Sequence, residues 1–201
     1  MPDRNSPEDR IIKACVDLVK SSDAEQIQVN EICEAAGVSK GTFYKYFKSK
    51  DNLFSQLYLS MEPRIIEKLP DILLKDISPL QQFWLVFCYF IERTIELGPK
   101  GVKYIARAGF TENGTHAFLS RGTNLWDIFI SLLKKSAAAG IIRDDCDAEL
   151  LLEHLSLIVV GVNIQWSASN GSFDYKEKLF RHFMLLLGVT PDFGPYDGLD
   201  T

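Results

Sequence analysis

The sequence holds no C-x-x-C pair; its four cysteines, Cys15, Cys33, Cys88 and Cys146, lie far apart. That spacing offers neither a disulfide framework nor a zinc site, and it fits a reducing compartment. No stretch reads as long enough to cross a bilayer either. The longest apolar runs, FWLVFCYFI (83–91) and LIVVGV (157–162), fall short of the about 20 residues a spanning helix needs. The opening MPDRNSPEDR is polar and lacks the apolar core of a signal peptide. A soluble, cytoplasmic protein with no membrane association is therefore expected. Catalytic motifs are missing as well: there is no H-E-x-x-H, no G-x-S-x-G and no glycine-rich phosphate loop, and His116, His154 and His182 stand apart. No metal, cofactor or enzymatic activity is expected. Repeats, low-complexity tracts and the two-residue alternation of strands are also absent.

What is present is helical period. The 201 residues are 46% apolar and 11% aromatic, enough for a sizeable core. Ile11, Ile12, Cys15, Leu18 and Val19 mark a first helix over about 7–21, and Val29, Ile32, Cys33 and Ala36 a second that ends at Gly37. Ser39 can cap a short third helix with Phe43 and Phe47 on one side. Ser49 can cap a fourth, with Leu53, Phe54, Leu57, Tyr58 and Met61 as its buried stripe. Pro63 is expected to bend that fourth helix and Pro70 to end it. SPLQ (78–81) has the form of a capping box opening an apolar helix over 78–97. Further helices are expected over 100–110, 115–139, 148–168 (capped by Asp147) and 175–188, before a loose tail. The chain reads as all-α, with a three-helix N-terminal domain over 1–52, a helical bundle over 53–190 and a tail over 191–201.

The whole chain carries a formal charge of −5, yet AGVSKGTFYKYFKSKDNLF (36–54) has four lysines and no acid before Asp51. Two short helices joined by GVS, with a helix on each side, have the spacing of a helix-turn-helix, whose second helix enters the DNA major groove. Phe43 and Phe47, four apart, face inward; Thr42, Lys45 and Tyr46 share the outward face. Gly41 allows the helix start to approach DNA closely. Tyr44, Lys48 and Lys50 lie toward the edges, where phosphates would be, and Ser39 and Ser49 bring helix N-termini to the same backbone. Thr42, Lys45 and Lys40 are the candidates for base edges. The other reading of these lysines is a solvated hairpin kept soluble by charge. The Gly turn, the Ser cap, the aromatic anchors, the polar outward face and the missing acids agree on the first reading.

With those residues in view, IIKACVDLV (11–19) and VNEICEAAGVSKGTFYKYFKSKDNLFSQLY (29–58) resemble the N-terminal domain of the tetracycline-repressor (TetR) family of transcriptional regulators. The resemblance covers about residues 10–58. Beyond it the chain shares only the family's layout, a divergent all-helical ligand-binding and dimerisation domain. The resemblance implies that Thr42, Tyr44, Lys45, Tyr46 and Lys50 touch DNA, Lys50 near a phosphate, and that Asn30 makes a further contact. Two departures stand out. Asp23 and Ala24 replace the usual glycine and aromatic after the first helix, and Ile27 and Gln28 replace a capping Ser or Thr before the second.

Specific binding by one helix-turn-helix generally needs two copies on a near-palindromic site. The last two helices offer apolar residues for a four-helix homodimer interface: Leu150, Leu151, Leu155, Ile158, Val162 and Trp166 on one, Phe180, Phe183, Met184 and Leu187 on the other. Gly161 would admit close approach. The other reading places them all in the intrachain core. An aromatic-rich middle is the expected pocket for a small apolar or aromatic effector, with Phe83, Trp84, Phe87, Tyr104, Phe110, Trp126 and Phe129 as walls and Cys88, His116 and Gln165 as polar points. The expected function is a DNA-binding regulator, of repressor type, that binds an inverted repeat in double-stranded DNA as a homodimer and is released by its effector through a shift of the fourth helix at Pro63. The alternatives are a helical carrier or sensor without DNA binding, and a ligand-independent activator or nucleoid organiser.

Overall fold

The computed structural model describes residues 6–59, 62–109, 124–145 and 147–198. Among them are nine helices and no strand: α1 (Pro7–Ser21), α2 (Val29–Ala36), α3 (Lys40–Tyr46), α4 (Lys50–Leu59), α5 (Glu62–Leu73), α6 (Pro79–Gly109), α7 (Asn124–Ala138), α8 (Ala148–Ala168) and α9 (Tyr175–Leu187). The all-α expectation holds.

Side chains that cap the helices do so as their chemistry requires. Ser6 Oγ accepts the Asp9 N–H at 3.1 Å, Ser39 Oγ the Thr42 N–H at 3.1 Å, Ser49 Oγ the Asn52 N–H at 3.0 Å and Ser78 Oγ the Gln81 N–H at 3.2 Å. Asp147 and Asp174 do the same for α8 and α9. At α2, where a capping hydroxyl is missing, Glu31 Oε2 accepts the Gln28 N–H at 2.6 Å. This arm of a capping box satisfies one of the helix-entry donors.

The helix ends around Pro63, Pro70 and Gly98 bear on three expectations. The fourth helix expected to bend at Pro63 is described as α4, to Leu59, and α5, from Glu62 with Pro63 its second residue; residues 60–61 lie outside the described residues. Pro70 lies inside α5, which keeps another turn and buries Ile72. The helices expected over 78–97 and 100–110 both lie within α6, divided as expected by the non-helical backbone of Gly98 (φ 66°, ψ 172°) ahead of Pro99.

The first part of α6 is the centre of the molecule. Phe83, Trp84 and Phe87 are at most 1% exposed and meet Phe129 of α7 and Phe183 of α9. Ring centroids lie 5.0 Å apart for Phe83–Phe129 and 4.8 Å for Phe87–Phe183. These rings, expected as pocket walls, fill the space between the helices as core. Cys88 is likewise fully buried, and burial pushes its thiol pKa up to about 12.

Eight of the residues named for the dimer interface are also intrachain core. Leu151, Leu155, Val162 and Trp166 of α8, with Phe180, Phe183, Met184 and Leu187 of α9, are each at most 7% exposed; Ile158 is half-buried. The faces that remain open are the opposite ones. Leu150, His154, Leu157, Gly161 and Ile164 are exposed on α8 at alternating four- and three-residue steps, and Leu185 is exposed on α9. Among the described residues α8 alone is long and apolar enough to cross a membrane, with a mean hydropathy of 1.3. Its inward side packs in the bundle, and its outward stripe accounts for the apolar excess.

The tail is not loose where it is described. Trp84 Nε1 donates to Pro195 O at 3.0 Å, Phe193 packs edge-on against Phe180, and Lys75 Nζ donates to Gly198 O at 3.1 Å. Buried tryptophan needs a partner for its N–H, and Pro195 supplies it.

Candidate nucleic-acid interface

The turn between α2 and α3 is formed by Gly37, whose left-handed backbone (φ 62°, ψ 42°) ends α2 as the sequence predicts. Val38 N–H then bonds back to Cys33 O at 2.9 Å, and Arg10 of α1 reaches Gly37 O at 3.4 Å. Phe43 and Phe47 are buried at 0% and 1% exposure, their rings 5.8 Å apart. They fix α3 onto α1 and α2 and determine which of its sides meets solvent.

That outer side carries Lys40, Gly41, Tyr44, Lys45 and Tyr46, all exposed, with Lys48 and Ser49 just beyond. Tyr44 is 55% exposed and Tyr46 37%, high for tyrosines with no partner element over them. Tyr44 leans edge-on against Phe43, at 5.3 Å between ring centroids. Thr42 is half-buried and its hydroxyl shares a 2.9 Å hydrogen bond with Ser39. Asn30 is exposed at the start of α2. A β-carbon at Gly41 would meet only Ser39 Oγ, at 3.7 Å, so the entry to α3 is open. The expected group is thus brought onto one surface, with one exception.

The exception is Lys50. Its ammonium turns away from the lysine face and donates to three carbonyls, Ala24 O, Glu25 O and Ile27 O, each at 3.0 Å. An ammonium has three N–H donors, and all three are used. Lys50 therefore has no donor to offer a phosphate in this arrangement, and its expected backbone contact is corrected to an internal one. Ala24 and Ile27 are buried, so the 23–28 loop folds inward and presents its carbonyls to the start of α4. Asp51, the first acid after the lysines, accepts a hydrogen bond from the Tyr104 hydroxyl and is drawn to α6.

The expected effector residues do not converge. Tyr104 packs against Phe54 at 4.4 Å between centroids, on the side of the N-terminal helices. Gln165 is exposed and accepts from Lys178. Phe110 and His116 lie outside the described residues. Trp126 alone borders an open hollow of about 590 Å³, with Asp127, Ile130, Lys134 and Glu149 on its sides. Sequence reasoning missed the Tyr104–Asp51 pairing because nothing local in either stretch announces a partner 53 residues away.

A short, capped, basic second helix held by two buried aromatics makes residues 29–47 a helix-turn-helix unit. Residues 11–57 match the family model for bacterial regulatory proteins of the tetR family. The chain is 34% identical over 62 residues to the fatty acid metabolism regulator protein of Bacillus subtilis, a stretch that spans 31% of this chain and only 32% of that relative. In overall fold it is similar to Thermus thermophilus FadR, solved in complex with lauroyl-CoA (TM-score 0.66, 21% identity, 96% of this chain and all of that one). It is also similar to FadR of Bacillus subtilis, solved in complex with stearoyl-CoA (TM-score 0.65, 20% identity, 90% of this chain and 98% of that one).

Proposed function

We propose that this chain is a sequence-specific DNA-binding transcriptional regulator, of repressor type, that binds an inverted repeat as a homodimer and is released by an acyl-chain effector. The observation that carries the DNA-binding part is the α3 surface: Lys40, Tyr44, Lys45, Tyr46 and Lys48 are exposed together with no carboxylate among them. Lysines and tyrosine hydroxyls there serve phosphates and base edges, while the acidic remainder of the chain disfavours adhesion elsewhere.

Dimerisation is assigned to the open faces of α8 and α9. Leu150, Leu157 and Ile164 are 50%, 67% and 46% exposed and Leu185 is 79% exposed. Steps of four and three residues along α8 form a seam suited to pairing with another helix, and Gly161 in its middle permits close approach. Two copies paired there present two α3 helices to one DNA duplex.

The acyl-chain class rests on the relatives named for fatty acid metabolism and solved with lauroyl-CoA and stearoyl-CoA. An acyl chain in this bundle must part the Phe83–Phe129–Phe183 cluster, and its preference for the parted state is what shifts the equilibrium. The test is to titrate the protein with a selected genomic DNA fragment, with and without lauroyl-CoA or stearoyl-CoA. A rise in Kd of about fivefold or more is expected with the thioester. Equal Kd values with and without each thioester would remove the acyl class and favour the ligand-independent alternative. Failure of any genomic fragment to bind would favour the carrier or sensor.

A further inference from the structure

We infer that residues 193–198 form a C-terminal strap that gates the aromatic interior of the bundle. Closed, it seals Trp84, Cys88 and Lys176 between α6 and α9; released, it opens the way in for an apolar chain. The inference rests on the acyl-chain effector proposed above and adds the segment that controls its entry.

The strap lies against α6 and α9. Phe193 is buried and packs edge-on against Phe180 of α9, at 5.6 Å between ring centroids. Pro195 O accepts the Trp84 indole N–H at 3.0 Å, and the Tyr196 hydroxyl donates to Asp174 at the start of α9. Gly198, in a left-handed conformation (φ 77°), comes so near α6 that a β-carbon would lie 3.3 Å from Leu85 Cδ1. Its carbonyl accepts from Lys75 Nζ at 3.1 Å.

Beneath the strap is a buried charge. Lys176 of α9 is 4% exposed, the one lysine so buried among the described residues, and its Nζ stands 5.0 Å from the centre of the Tyr196 ring. Its charge is felt by Glu92 and by Cys88, which lies one turn along α6 from Trp84. An ammonium in so apolar a place needs compensation, and the Tyr196 ring face supplies part of it, with Glu92 and Asp174 nearby. Burial raises the Cys88 thiol pKa, and Lys176 pulls against it. Lifting the strap relieves the burial and leaves Lys176 in place, so the thiol becomes reactive.

Behind Trp84 the aromatic cluster begins. Trp84 lies 4.9 Å from Phe180 and 5.9 Å from Phe183 between ring centroids. A strap lifted from Trp84 and Phe180 uncovers the edge of the same cluster that an acyl chain must part. The strap is suited to lifting. It has no helix of its own, Tyr196, Asp197 and Gly198 are exposed, and its backbone is tied to the bundle at the carbonyls of Pro195 and Gly198. A segment held this way opens at far lower cost than the whole fold. An internal turn, with the Gly194 N–H donating to Asp197 Oδ2 at 2.7 Å, lets it move as one piece.

Cys88 reports the opening without any ligand. The full-length double variant Phe193→Ala, Tyr196→Ala lacks the aromatic pair and the hydrogen bond to Asp174. In it, iodoacetamide should modify Cys88 about tenfold faster than in the wild type. Cys15, equally buried but in α1, is the control and should not change. Unchanged Cys88, or Cys88 and Cys15 accelerated alike, would overturn the strap. Entry is read by mixing each protein with lauroyl-CoA and following tryptophan fluorescence. The association rate should rise about tenfold in the variant, in step with the open population. A more reactive Cys88 with an unaltered association rate would overturn the strap as a gate. Lauroyl-CoA that binds neither protein would contradict the acyl-chain reading itself, and the cysteine result would then decide the strap alone.

Discussion

Lys50 Nζ lies 3.0 Å from the carbonyl oxygen of Ile27, across 23 residues of chain. With Ala24 and Glu25 supplying two further carbonyls, this lysine closes the 23–28 loop from within.

Lys50→Met therefore leaves three carbonyls without their donor and should lower stability by about 1–3 kcal/mol. Denaturant unfolding measures that loss. The dependence of DNA affinity on salt should keep its slope, because no phosphate contact is removed. A slope reduced by about one unit would instead return Lys50 to the DNA backbone.

Lys48→Ala and Tyr44→Ala are the positioning changes on the open face. Lys48→Ala should weaken binding to all sequences alike and lower the salt slope by about one unit. Lys45→Ala should shift base preference, read by repeating fragment selection with the variant. Thr42→Ala acts more weakly, since its hydroxyl is already engaged by Ser39.

The N-terminal three helices were legible in sequence because their determinants are local. Gly37, Ser39, Phe43 and Phe47 each specify their own turn, cap or buried face, and each appears where expected. The bundle was less legible because an apolar residue at helical spacing does not say which neighbour it meets. Leu155 and Leu157 look alike in sequence, yet the first is fully buried and the second 67% exposed. Lys50 illustrates the same limit for charge: only the fold of a distant loop decides whether its ammonium meets carbonyls or solvent. Tyr104 and Trp84 look like effector contacts in sequence, yet long-range partners, Asp51 and Pro195, engage both.

Dimerisation can be separated from folding. Leu157→Glu and Leu185→Glu alter exposed positions and should leave thermal stability of the isolated chain near that of the wild type, since surface changes seldom exceed about 0.5 kcal/mol. Sedimentation should then show a monomer, and binding to an inverted repeat should fall to the level of a single half-site. A dimer that persists in the double variant would place the interface elsewhere.

Cys15 and Cys88 are fully buried, and desolvation raises each thiol pKa to about 12. Both should resist alkylation by iodoacetamide at pH 8 in the native protein and react on unfolding. Peptide mapping distinguishes them from the remaining cysteines.

Asp174 caps α9 and ties down the tail through Tyr196. Burial opposes its ionisation, but hydrogen bonds from the Tyr196 hydroxyl and the backbone N–H groups of Glu177 and Lys176 outweigh it, so its pKa lies below the ordinary 3.8. A depressed carboxylate pKa contributes stability above the unfolded value and loses it as pH falls through the folded one. Tyr196→Phe should therefore lower Tm near pH 7, with the difference from wild type narrowing at pH below 3.8. A difference that widens in acid would reverse the sign.

The most direct measurement is selection of genomic DNA fragments by the purified full-length protein at about 150 mM salt, followed by sequencing, beside a Lys45→Ala, Lys48→Ala variant. An inverted repeat with half-sites about one helical turn apart, recovered by the wild type and lost with the variant, is the predicted result. A folded dimer that enriches no sequence, or a variant that enriches the same repeat equally well, would contradict the assignment of α3 as the reading helix.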